Sequence, residues 1–324
     1  MICATVGRST PLDPPGHPRP RQDRNMAERE LRVIADGFTY TEGPRWHDGE
    51  FWFVDFYTKT VNKVTRDGEV VQVAVVDAQP SGLGWLPDGQ LLVVSMKDHR
   101  VLRVGLDGEL AEHADISAHC GGYANDMVVA PNGNAYVGEF GFDLMGGADH
   151  NFANVILVRP DGTSQVVAPG LSFPNGMVIT PDEKTLIVNE LFGNRVSQFD
   201  ILDDGTLGPR RDFASYGSPG DETNWEKRIA EATIVPDGLA LDAEGAIWVA
   251  DCVHQRAARI AEGGEILDEV STAPLGVFAV ALGGDDGTTL YLSVAPDFDE
   301  TARSAAREAY VAATEVEVPH AGTP

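Results

Sequence analysis

Cysteine, basic residues and long apolar runs are all scarce in this sequence of 324 residues. The three cysteines, Cys3, Cys120 and Cys252, are too few and too widely spaced for a disulfide framework or a zinc cluster. No segment approaches the roughly 20 consecutive apolar residues that a transmembrane helix needs. We therefore expect a protein of a reducing compartment, the cytoplasm, that has no membrane-spanning helix.

Positive charge is also in short supply. The sequence has 24 Lys and Arg residues against 50 Asp and Glu residues, which gives a formal net charge of -26. This excess repels phosphate backbones and anionic lipids, so we do not expect nucleic acid or a membrane surface as a partner. We expect a small-molecule substrate as the partner, and the sequence does not define an oligomeric state. The same negative field attracts cations.

The beginning of the chain differs in composition from the rest. Residues 1–26 contain five prolines and four arginines, and they lack the apolar segment of a secretory signal. We expect residues 1–28 to be a disordered extension, with Met26 as an alternative natural start. Residues 29–319 are expected to form a single domain, and residues 320–324 a C-terminal tail. Closed all-β folds often reach this length as one unit.

A hairpin pattern recurs six times within that domain. Each unit has a short apolar strand, a tight turn that usually contains glycine, and a stronger apolar or aromatic strand. The six turn residues are Asp48, Asp88, Asn132, Asp182, Glu244 and Asp286. They lie 40 to 62 residues apart, and added segments such as KVTRDGEVVQV indicate about four strands per unit. The longest interval contains an insertion with a short helical pattern at residues 224–231.

Repeats of this length and strand number predict an all-β fold, a six-bladed β-propeller with four antiparallel strands per blade. The first strand (ELRVIADG) and the last strand (TEVEV) have no partners of their own. Pairing these N- and C-terminal strands in the final blade would close the ring and remove its exposed edges. The alternative is a set of unrelated hairpins stacked in a sandwich or an open barrel.

Equivalent positions on the innermost strands of a propeller converge on its axis. Counting back from the turn residues gives Glu42, Ser81, Asn125, Asn175, Asp237 and Ala279. Five of these six residues carry polar oxygen atoms, which suit Ca²⁺, Mg²⁺ or Mn²⁺, while Zn²⁺ and Fe²⁺ stay open. Asn-Gly and Asp-Gly are also ordinary turn sequences. Their shared register across the units nevertheless favours a set of metal ligands.

Four short segments also carry a family resemblance, and they are Glu42-Gly43-Pro44, Asn125-Asp126, Pro174-Asn175-Gly176 and Pro236-Asp237-Gly238. In their order and spacing, the chain resembles the senescence marker protein/gluconolactonase/luciferin-regenerating enzyme family from about Leu31 to about Val318. The resemblance implies a six-bladed propeller with one catalytic divalent metal ion in its channel. Many members of that family hydrolyse lactones.

Residue by residue, the resemblance implies that Glu42, Asn175 and Asp237 bind the metal directly. Asn125 would be a further ligand or would contact metal-bound water and substrate, and Asp237 would also be the catalytic base. Sugar-lactonase members have an arginine two residues before the Asn of the Asn-Asp pair, but this sequence has Tyr123 there. This departure favours a less polar lactone or ester over an aldonolactone.

The wall of the channel is predicted from residues near strand ends, namely Tyr123, Glu139, Phe140, Phe142 and Phe192. Of these, Tyr123 and Glu139 join Asn125 as predicted substrate-binding residues. The glycine-rich segment 141–154 is longer than a simple turn and is predicted to cover the site as a lid. We interpret His150, within this segment, as a solvated loop residue rather than a proton shuttle.

The predicted function is metal-dependent hydrolysis of a lactone or a related ester with one divalent ion, for which Ca²⁺ is the first choice. One alternative is a hydrolase of different scope, such as one that cleaves organophosphates. Another is a non-catalytic propeller that binds a metal or a ligand. The sequence contains no G-x-S-x-G, H-E-x-x-H, Walker or Rossmann glycine motif, which argues against several other enzyme classes.

Overall fold

The computed structural model describes residues 29–219 and 223–322. These residues form six four-stranded sheets, and all neighbouring strands within a sheet are antiparallel. The six-bladed propeller predicted from the repeats is therefore confirmed. The predicted extension at residues 1–28 lies outside the described residues, as do residues 323 and 324 of the predicted tail.

The strands follow the repeat closely. The chain starts with β1 (Arg32–Phe38), which belongs to the last blade. Blade one contains β2 (Thr41–His47), β3 (Glu50–Asp55), β4 (Thr60–Val64) and β5 (Val70–Val75). Blade two contains β6 (Pro80–Trp85), β7 (Leu91–Ser95), β8 (Arg100–Val104) and β9 (Leu110–Asp115). Blade three contains β10 (Ala124–Val129), β11 (Ala135–Glu139), β12 (Ala153–Val158) and β13 (Ser164–Leu171).

The second half of the ring repeats this order. Blade four contains β14 (Pro174–Ile179), β15 (Thr185–Glu190), β16 (Arg195–Asp200) and β17 (Arg211–Ser215). Blade five contains β18 (Pro236–Leu241), β19 (Ile247–Asp251), β20 (Arg256–Ile260) and β21 (Ile266–Ser271). Blade six contains β22 (Gly276–Gly283), β23 (Thr289–Ala295) and β24 (Ala309–Glu315).

Blade six is completed by the first strand of the chain. β1 pairs with β24 on the outer side of the sheet, with Arg32 opposite Ala313 and Phe38 opposite Ala309. This pairing confirms the predicted closure. It covers the edge of β24, which would otherwise present unpaired backbone groups to solvent.

Among the described residues, two short α-helices lie between the strands. Helix α1 (Trp225–Ala230) lies between blades four and five, where Asn224 caps its first turn, so the helical pattern predicted there is confirmed. Helix α2 (Glu300–Ala305) connects β23 to β24 and is capped by Asp299. Within residues 29–219 and 223–322, no helix is long and apolar enough to cross a membrane.

The apolar core lies mainly between neighbouring blades. Alternating side chains of facing sheets form six apolar clusters, such as the one in which Leu92 of blade two meets Met127 and Ile156 of blade three. The innermost strands β2, β6, β10, β14, β18 and β22 form the central ring, each lying against the next. The start of each inner strand therefore reaches the same end of the central channel.

Candidate functional site

Each inner strand is irregular near its start. The pairing register shifts after Glu42 in β2, and between the first and fourth residues of β6, β10, β14 and β18. A β-bulge of this kind turns a side chain away from the regular alternation of the strand. The residues within these four bulges include the predicted axial residues Ser81, Asn125, Asn175 and Asp237.

Blade six departs from the register predicted by counting. Its shift lies between Val277 and Ala279, and the residue that lines the channel is Phe278. Ala279 lies instead against Gly238, where an added Cβ would be 2.7 Å from the Ala279 Cα. A side chain at Gly176 would similarly lie 2.5 Å from the backbone nitrogen of Leu239. Glycine after Asn175 and Asp237 therefore lets neighbouring inner strands approach closely around the axis.

The predicted ligands converge on one cavity of about 100 Å³. Glu42, Asn125, Asn175 and Asp237 all line it, and each is buried or nearly so. Tyr123, the predicted substrate contact, lines the same cavity. The structure thus brings together five of the six predicted site residues.

The two carboxyl groups in this cavity are in an unfavourable environment. Burial raises the pKa of Glu42 to about 8, although the backbone N–H of Gly43 opposes this increase. Burial also raises the pKa of Asp237 well above its usual value, and the nearby charge of Glu42 raises it further. The Asn175 side chain opposes that shift by hydrogen bonding to the Asp237 carboxylate. Two buried like charges at short range repel each other unless a cation lies between them.

A neighbouring ion pair does not neutralise these groups. Arg45 donates to the Asp126 carboxylate over 2.7 Å and to the Met127 carbonyl over 2.6 Å, and both charged side chains are buried. Asp126 therefore braces the strand beside Asn125, and its own charge contributes to the raised pKa of Asp237. No lysine, arginine or histidine among the described residues lines the cavity.

These residues fit a hard divalent cation. The described residues contain no cluster of three or more His, Cys, Asp or Glu side chains arranged for a metal, so amide oxygens would have to complete a set built on Glu42 and Asp237. Asn125 offers one, because its Nδ2 is buried without a hydrogen-bond partner among the described residues. The Ser81 hydroxyl lies 3.4 Å from Asn125 Oδ1. Rotating the Asn125 amide by 180° exchanges Oδ1 and Nδ2, so that Nδ2 faces Ser81 and Oδ1 takes the position without a partner. An all-oxygen set with two charges suits Ca²⁺, Mg²⁺ or Mn²⁺.

A second ring of carboxylates holds the segments that precede the predicted ligands. Asp55, Glu139, Glu190 and Asp251 each end the second strand of a blade and are completely buried. Each accepts hydrogen bonds from backbone N–H groups two or three residues before a ligand, and the donors are Tyr40, Gly122, Ser172 and Val235. Charge-assisted bonds of this kind fix the backbone firmly. The signal is visible in the sequence as a repeated acidic residue in FVDF, VGEF, VNEL and VADC.

Glu139 belongs to this second ring rather than to the cavity wall. Its carboxylate accepts hydrogen bonds from the backbone N–H groups of Gly121, Gly122, Gly141 and Asn154, over 2.7 to 3.1 Å. It does not line the cavity. The prediction that Glu139 contacts substrate is therefore corrected: its side chain holds the surrounding loops in place.

Aromatic side chains form most of the remaining wall. A continuous series runs from Phe140 to Phe173 to Phe192 to Trp225 to Phe298, with neighbouring ring centroids 4.2 to 6.5 Å apart. We call these five residues the aromatic row. Phe173 has a φ of 63°, which costs a bulky residue about 1 kcal/mol or more. Its ring lines the cavity, and the residue directly precedes Pro174-Asn175 in the sequence.

Some wall residues were predicted correctly and others were missed. Phe140 and Phe192 line the cavity as predicted, whereas Phe142 packs behind Phe173. His150 is only 8% exposed and hydrogen bonds to the Ser172 hydroxyl over 2.7 Å, so the interpretation as a solvated residue was wrong. Cavity residues missed from the sequence include Tyr40, Phe56, Phe173, Trp225, Cys252, Phe278 and Phe298. Of these, Tyr40 and Phe173 each stand two residues before a predicted ligand, Glu42 or Asn175. This position in the sequence was the signal that could have identified them.

The fold and the site together define a class: a six-bladed propeller with an acidic, oxygen-rich site on its axis beneath an aromatic cavity. Sequence comparison agrees with this description. The chain belongs to the family described as SMP-30/Gluconolactonase/LRE-like region, whose model matches residues 40–296.

Individual relatives are distant but match most of the chain. The chain is 28% identical to the pentonolactonase XacC of Haloferax volcanii, over 82% of this chain and 84% of the relative. It is 24% identical to the gluconolactonase of Zymomonas mobilis, over 90% and 85% of the respective chains. Among solved structures, the calcium-binding protein regucalcin of Agrobacterium tumefaciens aligns with a TM-score of 0.74 at 20% identity, covering 91% of this chain and 97% of that one.

Proposed function

We propose that this protein is a metal-dependent hydrolase of a lactone or a related ester. One observation carries the proposal: Glu42 and Asp237, two buried carboxyl groups, face a single cavity together with the amides of Asn125 and Asn175. The family membership and the lactonase activity named for the two relatives support the same reaction class.

In the proposed reaction, water adds to the carbonyl carbon and the bond from that carbon to the ring oxygen breaks. The product is a hydroxy acid, which releases one proton at neutral pH. When bound, the cation would supply Lewis-acid polarisation of the carbonyl and activation of a water molecule. Asp237 would accept the proton of the attacking water at a carboxylate oxygen and return it to the leaving oxygen.

Glu42, Asn125, Asn175 and Asp237 are the proposed metal ligands, and Ca²⁺ is the proposed ion. The donor set contains only oxygen atoms, without a thiolate or an imidazole. Ca²⁺ binds such an all-oxygen set readily, whereas Zn²⁺ binds it less well. The calcium-binding character stated for the structurally similar regucalcin agrees with this choice. Asn125 and Tyr123 are the proposed contacts to a small-molecule substrate.

The test combines metal depletion with matched substitutions. Chelator-treated protein is supplied with Ca²⁺, Mg²⁺, Mn²⁺, Zn²⁺ or Fe²⁺ separately, and proton release is followed on sugar lactones, alkyl lactones, aryl esters and a phosphotriester. We expect metal-restored lactone or ester hydrolysis, which Asp237→Asn reduces by at least about a thousandfold because the negative charge on the ligand and the base are lost together. Asp88→Asn, the same change at an exposed turn, is the control and should retain full activity.

Three outcomes would overturn the proposal. Full activity in Asp237→Asn would remove the assigned base. Preferred cleavage of the phosphotriester would move the protein to a different class of hydrolase. Tight metal binding by calorimetry without turnover of any substrate would identify a binding protein rather than an enzyme.

A further inference from the structure

The cavity contains charges of one sign only. Among its lining residues, the charged side chains are Glu42, Asp237 and Glu300, all of them acidic. Glu300 lies at the mouth, where Lys97 pairs with it over 2.9 Å, and the Lys97 amine also lies 5.8 Å from the ring centre of Tyr123. The proposed divalent cation would offset the charges of Glu42 and Asp237, and no basic side chain among the described residues lines the cavity to match a further carboxylate, phosphate or sulfonate on a substrate.

The cavity also has few groups that could receive sugar hydroxyls. Apart from the proposed ligands, the hydroxyl, amide and carboxylate side chains of the lining are those of Tyr40, Tyr57, Gln79, Tyr123 and, at the mouth, Glu300. The Tyr57 hydroxyl already donates to the Phe298 carbonyl over 2.6 Å. The amide nitrogen of Gln79 contacts the sulfur of Met96 at 3.4 Å. A hydroxyl that is buried without a partner weakens binding, so a polyhydroxylated ring is poorly matched to this wall.

The apolar lining extends from the ligands to the surface. The aromatic row leads from Phe140 and Phe173, beside the ligand-bearing strands, to Phe298, which is 37% exposed. Met145 and Val253 also line the cavity and are 38% and 44% exposed. Large apolar side chains left exposed around a cavity mouth are typical of a binding site for an apolar ligand.

We infer that the substrate is an uncharged lactone or ester with an alkyl or aryl substituent, and that this substituent lies along the aromatic row. The reacting carbonyl would then face Asp237 and the amides, while the substituent displaces water from Phe173, Phe192 and Trp225. The inference rests on the proposed function for its turnover part only, because the apolar binding path is independent of any reaction.

Binding can be measured without turnover. The probes are γ-lactams, which resist hydrolysis, with no substituent, with butyl, hexyl and octyl chains, and with three ring hydroxyls. Affinity is measured by calorimetry and by the fluorescence of Trp225, with Trp225→Phe identifying its signal. We expect the affinity to rise roughly threefold to fourfold per methylene until the row is filled. The hydroxylated lactam should bind more weakly than the hexyl compound.

Substitutions then locate the path. Phe192→Ala should reduce the affinity for the octyl compound roughly tenfold or more while changing that of the unsubstituted lactam little. Phe192→Leu preserves apolar volume and keeps the test valid if the alanine variant does not fold. Phe152→Ala is the control, because Phe152 is exposed and does not line the cavity.

The two proposals fail in different ways. Affinity that is independent of chain length, or tighter binding of the hydroxylated lactam, would overturn the inference. Hydrolysis of sugar lactones without preference for alkyl lactones would also overturn it while leaving the hydrolase function intact. Chain-length-dependent binding with no turnover of any lactone or ester would support the inference and overturn the hydrolase function.

Discussion

Glu42 is the residue whose protonation has the clearest consequence for stability. Its pKa rises from 4.5 to about 8 on folding of the metal-free protein, because burial disfavours the charged carboxylate. Between these two values the folded state holds a proton that the unfolded state has released. Since the folded state binds more protons, the free energy of unfolding falls as the pH increases through this window.

We therefore predict that the metal-free protein loses thermal stability between pH 5 and pH 8 and that saturating Ca²⁺ removes much of this loss. The measurement is the melting temperature of chelator-treated protein across that range, with and without added metal. Glu42→Gln is the control, because it should reduce the pH dependence of the metal-free protein to the part that the raised pKa of Asp237 causes. A metal-free wild type whose stability rises with pH relative to Glu42→Gln would contradict the assigned cause.

Tyr123 lines the cavity, so a charged side chain at this position would make the cavity wall more polar. We predict that Tyr123→Arg raises the ratio of kcat/KM for sugar lactones to that for alkyl lactones by roughly tenfold, because a guanidinium offers charge-assisted hydrogen bonds to hydroxyls. Tyr123→Phe removes only the hydroxyl and should leave the ratio nearly unchanged. Paired kinetics on one lactone of each type measure this ratio. An unchanged ratio in Tyr123→Arg would mean that this side chain does not contact the substrate.

Some residue-level errors have a common physical origin. The sequence contains the acidic residue that ends the second strand of four blades, but not the direction of its side chain. Glu139 was assigned to substrate because it lies near a strand end, although four backbone N–H groups use its oxygen atoms. Likewise, counting along the chain placed Ala279 at the axis, since a bulge one residue earlier is invisible in a hydrophobic pattern. Hydrogen bonding and bulge position are decided by tertiary structure.

At the scale of the strand, the ligand position depends on the strand beside it. Glu190 at the end of β15 accepts hydrogen bonds from the Ser172 backbone and from Arg195, and thereby holds the segment that leads into Asn175. We predict that Glu190→Gln lowers the free energy of unfolding by about 3 kcal/mol and weakens metal binding about tenfold, because the arginine loses its buried partner. Denaturant unfolding and calorimetry measure the two effects.

Asp242→Asn provides the matched control for this prediction. Asp242 is a buried carboxylate that pairs with Arg259 over 2.6 Å, but it lies at the end of β18 remote from Asp237. Its substitution should cost similar stability and leave metal affinity unchanged. Equal losses of metal affinity in both variants would show that Glu190 acts through general stability rather than by positioning Asn175.

The strand pattern itself was predictable. Tight turns and alternating apolar residues are local features, so the four strands of each blade and the convergence of Asn125, Asn175 and Asp237 followed from the sequence. The aromatic row did not, because Trp225 and Phe298 lie in connecting segments whose paths are set by packing against other blades. Local patterns thus predicted the polar residues that converge on the axis but only part of the wall.

At the scale of the whole molecule, closure of the ring depends on β1. We predict that deleting residues 1–38 lowers the melting temperature by about 6–12 °C, corresponding to a loss of about 3 kcal/mol, and promotes self-association. The reason is that β24 then exposes an unpaired edge. Thermal melts and size-exclusion chromatography measure both effects, with deletion of residues 1–28 as the control. A monomer of wild-type stability after the longer deletion would contradict this role of β1.

The shared sixth blade has a further consequence for how the chain can be rearranged. Because Arg32 at the start of β1 pairs with Ala313 near the end of β24, the first and last strands lie side by side in one sheet. The molecule is thus circular in construction although its backbone is linear. A linker joining these strands, with a new break in the exposed hairpin turn at residues 66–69, would thread the same six sheets in a different order. The axial site draws on several blades and does not depend on where the chain begins, so such a permuted protein should assemble it unchanged.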